Sequence, residues 1–188
     1  DYRFYIISLN MLAMPWMATG IFVYQSFISE SKMWAIYTIP KAFMVYSITS
    51  IATLFLSGLL VDKFTGRKLI LIMNIPLLLA MFILFNFNNE IYAYVFLGFI
   101  GVSNGLANIL GSSTWAEIYG VKYLGSIKAL TTAIMVFSTA CGTALFGILI
   151  DNGFTIENIA LIGGTYIIIS LALLIAFKNK MEPTKILD

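Results

Sequence analysis

The sequence predicts an all-α, polytopic membrane protein of six transmembrane helices, and three observations predict it. Sixty per cent of the residues are hydrophobic and only 11% are charged, against roughly 25% charged in an ordinary soluble domain. The apolar residues gather in runs near the ~20-residue length that crosses a bilayer core as helix, too long for transmembrane β-strands of about 10 residues. Lys and Arg collect in alternate connections rather than in all of them. The runs span about 4–27, 38–62, 69–87, 92–117, 127–150 and 156–177. With connections this short, residues 1–188 form one bundle and leave no room for a soluble domain.

Composition also excludes. A net charge of +2 is too small to argue for a nucleic-acid partner. The chain has no histidine, which removes His-dependent catalysis, haem ligation by His and most intramembrane zinc chemistry; no cofactor and no metal are expected. The one cysteine, Cys141, lies in an apolar run, so no internal disulfide can form. Asp1 is not an initiator, and the first span begins within a few residues without a signal peptide's cleavage pattern. The polar tail from Lys178 to Asp188, with Pro183, fades as a natural terminus does. The chain therefore reads as a piece of a longer protein whose missing part is N-terminal.

Taken in order, the first span holds Pro15 and Gly20 and carries Asn10, Thr19, Tyr24 and Gln25. Polar side chains are costly in hydrocarbon and face a bundle interior or a watery cavity, so Tyr24 and Gln25 join the cavity candidates. Ser29 to Lys32 is a loop, with Trp34 and Tyr37 placed as interfacial anchors. Pro40 suits the first turn of the second helix. There Tyr46, Ser50, Thr53 and Ser57 recur on one face, either as helix-to-helix glue or as a pathway lining. Lys41 lies near the opposite surface from Asp62 and snorkels to it. The third span, interrupted only by Asn74 and Pro76, reads as lipid-facing. Asn88-Asn89-Glu90 turns the chain without a cation, as an outer loop would.

The fourth span bears two neighbouring stripes. Gly98, Gly101, Gly105 and Ser112 make a small-residue face that allows close helix approach. Beside it lie Asn104, Asn108, Gly111 or Ser112, and Trp115. Asn104 and Asn108, a turn apart, are the strongest uncharged binding signal in the chain, against a purely structural role in interhelical hydrogen bonding. Glu117 is close enough to pair with Lys122 or Lys128, and Gly120 and Gly125 permit tight turns. In the fifth span Lys128, Thr132, Met135, Thr139 and Thr143 share a face. The sixth, apolar apart from Gly163-Gly164-Thr165 and Ser170, reads as peripheral.

By side, Arg3, Lys63, Arg67, Lys68, Lys122, Lys128, Lys178, Lys180 and Lys185 fall on one surface and Lys32 and Lys41 on the other. The positive-inside rule then places both termini in the cytoplasm, in a plasma (inner) membrane.

The connection after the second span, Gly58-Leu59-Leu60-Val61-Asp62-Lys63-Phe64-Thr65-Gly66-Arg67-Lys68, resembles the loop signature of major facilitator superfamily transporters. Gly58, Asp62, Lys63, Gly66, Arg67 and Lys68 match Gly-x-x-x-Asp-Arg/Lys-x-Gly-Arg/Lys-Arg/Lys. Phe64-Thr65 occupies the space of a single residue in that pattern. The stretch from Glu117 through Tyr119-Gly120, Lys122 and Leu124-Gly125-Ser126-Ile127-Lys128 is similar to a second loop of the C-terminal half of such proteins. The resemblance implies one six-helix half of a major-facilitator fold, built as 3+3 inverted repeats, whose partners are the lipid bilayer, the absent N-terminal half and a small-molecule solute. It also implies that Asp62, locally unfavourable at a helix C-terminus, latches the cytoplasmic gate against a helix N-terminus of the other half, with Arg67 and Lys68 orienting it.

Two other classes compete. Six spans and Gly111-Ser112-Ser113 superficially fit an intramembrane protease, but no histidine serves as base. A stand-alone channel or assembly protein working as a homodimer is the alternative that an upstream reading frame with six more spans would exclude. No Asp, Glu, Lys or Arg is expected near mid-membrane, so this half supplies no counter-ion, and a neutral solute or a charged one held elsewhere are equally allowed.

Overall fold

The computed structural model describes residues 1–178; Lys180, Pro183 and Lys185 of the expected polar tail lie outside them. The described chain is helical throughout, in the order α1 (Tyr2–Val23), α2 (Gln25–Ser31), α3 (Thr38–Phe64), α4 (Gly66–Leu69), α5 (Ile75–Asn86), α6 (Ile91–Tyr119), α7 (Leu124–Asp151) and α8 (Ile156–Phe177). Five of these, α1, α3, α6, α7 and α8, are long and apolar enough to cross a membrane, and α5 is a shorter apolar helix. The chain is an integral membrane protein.

Helix α6 is the centre of the packing, against α3 on one side and α5 on another, while α1 packs on α7 and α8. The glycine face of α6 explains the first contact. A methyl group at Gly105 would stand 2.6 Å from the Ser50 carbonyl oxygen and 2.9 Å from the Leu54 nitrogen, so only glycine lets the two backbones approach this closely. Hydroxyls of α3 bridge the seam: Thr49 Oγ1 donates to the Gly98 carbonyl at 3.1 Å and Ser57 Oγ to that of Gly105 at 3.4 Å. Ser57, the last residue of the polar stripe of α3, and Thr49 beside that stripe therefore act as glue between helices.

Residues 69–87 do not form one helix. Between α4 and α5 the chain makes i to i−3 turns, such as Ile72 N–H to the Leu69 carbonyl at 3.0 Å. Pro76 has no N–H for the Ile72 carbonyl, and its ring crowds that carbonyl. Backbone groups freed inside a membrane must be satisfied by protein. Asn10 Nδ2 donates to the Ile70 carbonyl at 3.4 Å, Ser103 Oγ to that of Met73 at 3.0 Å, and Asn74 Nδ2 to the Asn10 carbonyl at 2.6 Å. Asn10, Asn74, Ile70 and Met73 are all fully buried. The start of the expected lipid-facing span is thus interior, and only one face of α5, with Leu79, Phe82 and Phe85, is exposed. Helix α8 likewise buries Gly163 and Gly164 against α1 and α5 and exposes Leu161, Ile168 and Ile169.

The first connection also differs from a plain loop. Helix α1 ends at Val23, and after a one-residue break at Tyr24 the chain runs on as α2. Trp34 is not an exposed anchor: it is buried, its Nε1 donating to the Asn88 carbonyl at 2.6 Å. Tyr37 is exposed.

Covering is uneven. Of the most apolar window of α3 only 6% is buried, and of α7 17%, against 56% for both α1 and α6. Met44, Ile48, Ile51 and Phe55 of α3 and Leu130, Val136 and Phe137 of α7 stand exposed.

Candidate functional site

A cavity of about 440 Å³ opens between α1, α6 and α7, with Tyr46 of α3 at its edge. That is within the usual range of roughly 300–1,000 Å³ for small-molecule sites. Pro15 interrupts the hydrogen-bonding of α1 beside it, and Met11, Met14, Thr19 and Phe22 supply the α1 wall. From α6 come Asn104, Asn108, Gly111, Ser112 and Trp115, and from α7 Lys128, Thr131, Thr132, Met135 and Thr139.

The polar face of α6 and the face of α7 that begins at Lys128 thus meet across one hollow. Asn104 Nδ2 donates to Ser50 Oγ at 2.8 Å, which fixes its amide. Asn108 is exposed, and its Nδ2 donates to the Asn104 carbonyl one turn back at 2.8 Å. Its Oδ1 has no hydrogen bond among the described residues and is available to a solute. Trp115 is buried and stacks on Phe4 with ring centroids 5.3 Å apart.

Tyr24 and Gln25 do not join this cavity. Tyr24 stacks on Phe146 at 6.2 Å, and Gln25 lines a separate hollow of about 330 Å³ with Glu30 and Trp34. Lys128, counted from sequence as part of a connection, lines the cavity. The i, i+4, i+7, i+11 spacing of Lys128, Thr132, Met135 and Thr139 was the available signal.

At the end of the molecule that carries Lys63, Arg67 and Lys68, the loop residues are arranged around Glu117 of α6. Its carboxylate accepts from the Gly66 backbone N–H and, at 3.1 Å, from that of Arg67, capping the exposed donors of a helix start. The Arg67 guanidinium Nε stands 3.5 Å from the same carboxylate. Glu117 therefore pairs with Arg67 rather than with Lys122 or Lys128, because the loop after α3 folds back onto α6. Gly66 is needed there, since a Cβ would stand 2.7 Å from Ser113 Oγ and 3.0 Å from the Thr114 nitrogen.

The extra residue of the loop is absorbed at Thr65, which takes φ +70°, ψ 142°. A β-branched residue is strained there. Lys63 lies over the Phe64 ring at 5.4 Å and Lys122 over that of Tyr123 at 5.5 Å. Asp62 and Lys68 are exposed, and Asp62 has no hydrogen bond or ion pair among the described residues. A Cβ at Gly58, one turn before Asp62, would meet nothing within 4 Å. Gly120 does turn the chain, at φ +75°, but Gly125 lies inside α7 in open space.

Fold and cavity together define a polytopic helical membrane protein with a hollow of mixed apolar and polar lining among its spans. Residues 5–187 match the family model of the Major Facilitator Superfamily, and the chain belongs to that family, whose members are membrane transporters rather than enzymes. No curated protein and no solved structure matches the chain.

Proposed function

We propose that the chain is the C-terminal six-helix half of a secondary transporter, moving a small solute by alternating access. The carrying observation is a cavity of mixed apolar and polar lining between α1, α6 and α7, beside exposed apolar faces of α3 and α7. A transporter of this type joins two halves about an axis along the membrane normal, each built from inverted repeats of three helices, with solute near the midplane between them. In this reading the segment from Gly66 through Asn86, broken at the middle, is the third of six crossings. The bare faces of α3 and α7 receive the N-terminal half, and Asn104 and Asn108 contact the solute. The end bearing Arg3, Lys63, Arg67, Lys68, Lys122, Lys128 and Lys178 is cytoplasmic, in the plasma membrane.

Asp62 then acts across the interface. Its carboxylate is exposed and the surface at Gly58 is open, so a helix N-terminus of the other half can approach the acid and latch the cytoplasmic gate. With Arg67 engaged by Glu117, the loop's own contribution is to hold its shape. Asp62→Asn should raise labelling of inner-face cysteines in the full-length protein, and labelling equal to the parent would reduce Asp62 to an interfacial charge.

The test of the transport reading is uptake by the full-length protein in liposomes of organic acids, sugars and hydrophobic amines, under imposed proton and sodium gradients. Asn108→Leu should lower uptake while expression holds; unchanged uptake would take Asn108 out of the solute cavity. Solute-dependent flux through liposomes holding residues 1–188 alone would count against the half-transporter reading.

A further inference from the structure

We infer that the cavity takes a small amphipathic monoanion, a carboxylate on an apolar body, with Lys128 as its counter-ion; this rests on the transport reading and names its solute class. Among the described lining residues Lys128 is the one side chain charged at neutral pH, and no Asp or Glu is among them. Nor does Lys128 have an ion pair elsewhere among the described residues. The acid at its end of the bundle, Glu117, is already engaged by two backbone N–H groups and Arg67.

The position of Lys128 matters as much as its charge. It is the fifth residue of α7, about 6 Å along the axis from the helix start, and it is exposed on the cavity wall near that end. A lone cation beside low-dielectric walls has its strongest attraction for an anion that displaces water. The start of a 28-residue helix lies a turn away and adds positive potential of the same sign.

The rest of the wall fits the other parts of such a solute. The Thr132 hydroxyl and the second N–H of the Asn108 amide, the first being taken by the Asn104 carbonyl, can donate to the second carboxylate oxygen, while Met11, Met14, Met135 and Phe22 offer an apolar, adaptable surface to the body. A cationic solute would meet Lys128 with no carboxylate to offset it, and a neutral one would leave the ammonium without a counter-charge.

Purified full-length protein is melted with matched pairs that differ only in charge, benzoate against benzamide and hexanoate against hexanamide. Ligand that binds the folded state raises the melting temperature. The acids should protect and the amides should not. Lys128→Gln should weaken protection by the acids by about tenfold or more, the scale of one charge-assisted hydrogen bond, while Lys128→Arg keeps it and both variants melt like the parent without ligand. If Lys128→Gln itself lowers the unliganded melting temperature, the Lys128→Arg variant decides: protection by acids over amides must persist in it, or the inference falls. Equal protection by amide and acid, full protection in Lys128→Gln, or no protection by either acid overturns the inference. In that event uptake of a sugar or an amine by the same protein leaves the transport reading standing. No uptake of any solute, whatever its charge, removes both.

Discussion

Lys32 is fully buried, and cutting its ion pair gives the sharpest stability test. Its Nζ lies 2.7 Å from Glu157 Oε1 and 2.8 Å from Asn88 Oδ1, and Trp34 donates to the Asn88 carbonyl beside it. The cluster ties together the turn after α2, the turn before α6 and the start of α8. Removing one partner of a buried pair strands the other charge, at a cost of about 3–5 kcal/mol. Here the Lys32 side chain is 0% exposed but that of Glu157 is 36% exposed, so water can enter where the carboxylate was, and Glu157→Ala should cost about 2 kcal/mol. Lys32→Met removes the buried charge and keeps most of the volume, while Glu157 can be hydrated; its cost should be about 1 kcal/mol or less. The double variant should therefore be no less stable than Glu157→Ala, with a coupling of about 1–2 kcal/mol. Unfolding in detergent, followed by tryptophan emission with Trp34 as reporter, measures all four corners. Additive losses, or a Glu157→Ala cost below about 0.5 kcal/mol, would show that the cluster does not store energy as a buried pair and would refute this reasoning.

Gly105→Ala should lower stability by about 1–3 kcal/mol despite a helix-propensity gain near 1 kcal/mol, because its Cβ meets α3 backbone; a melting temperature at or above the parent would mean the helices part freely. At Thr65, φ +70° reverses the usual ranking of small residues, so Thr65→Gly should be more stable than Thr65→Ala by about 1–2 kcal/mol, read as a higher melting temperature, and the opposite order would show that the turn relaxes without strain. Glu117→Gln keeps the shape but loses the charge facing two N–H groups and Arg67. At 26% exposure the loss should be about 1–2 kcal/mol, and an unchanged chemical-denaturation midpoint would mean that the loop holds its place without this carboxylate.

Hydropathy averaged over some twenty residues is a local quantity. The membrane class, the helical fold and the five long spans were for that reason readable from the sequence alone. Periodicity is local too: it placed Asn104 and Asn108 on one stripe of α6, the glycines on another, and Lys128 with Thr132 and Met135 on one stripe of α7. What no local pattern holds is which stripe meets which. Lys32 and Glu157 are 125 residues apart, Asn74 and Asn10 64, and Gly66 and Glu117 51, and each pairing exists only because helices distant in sequence are neighbours in space. Pro76 announced a disturbance in the third apolar run, but its extent was settled by Asn10 and Ser103, which take up the carbonyls of Ile70 and Met73 and so make a true break affordable inside a membrane. By the same logic Lys128 counts by charge as one more basic residue of a connection; only the approach of α1 and α6 to α7 puts it on the wall of a cavity.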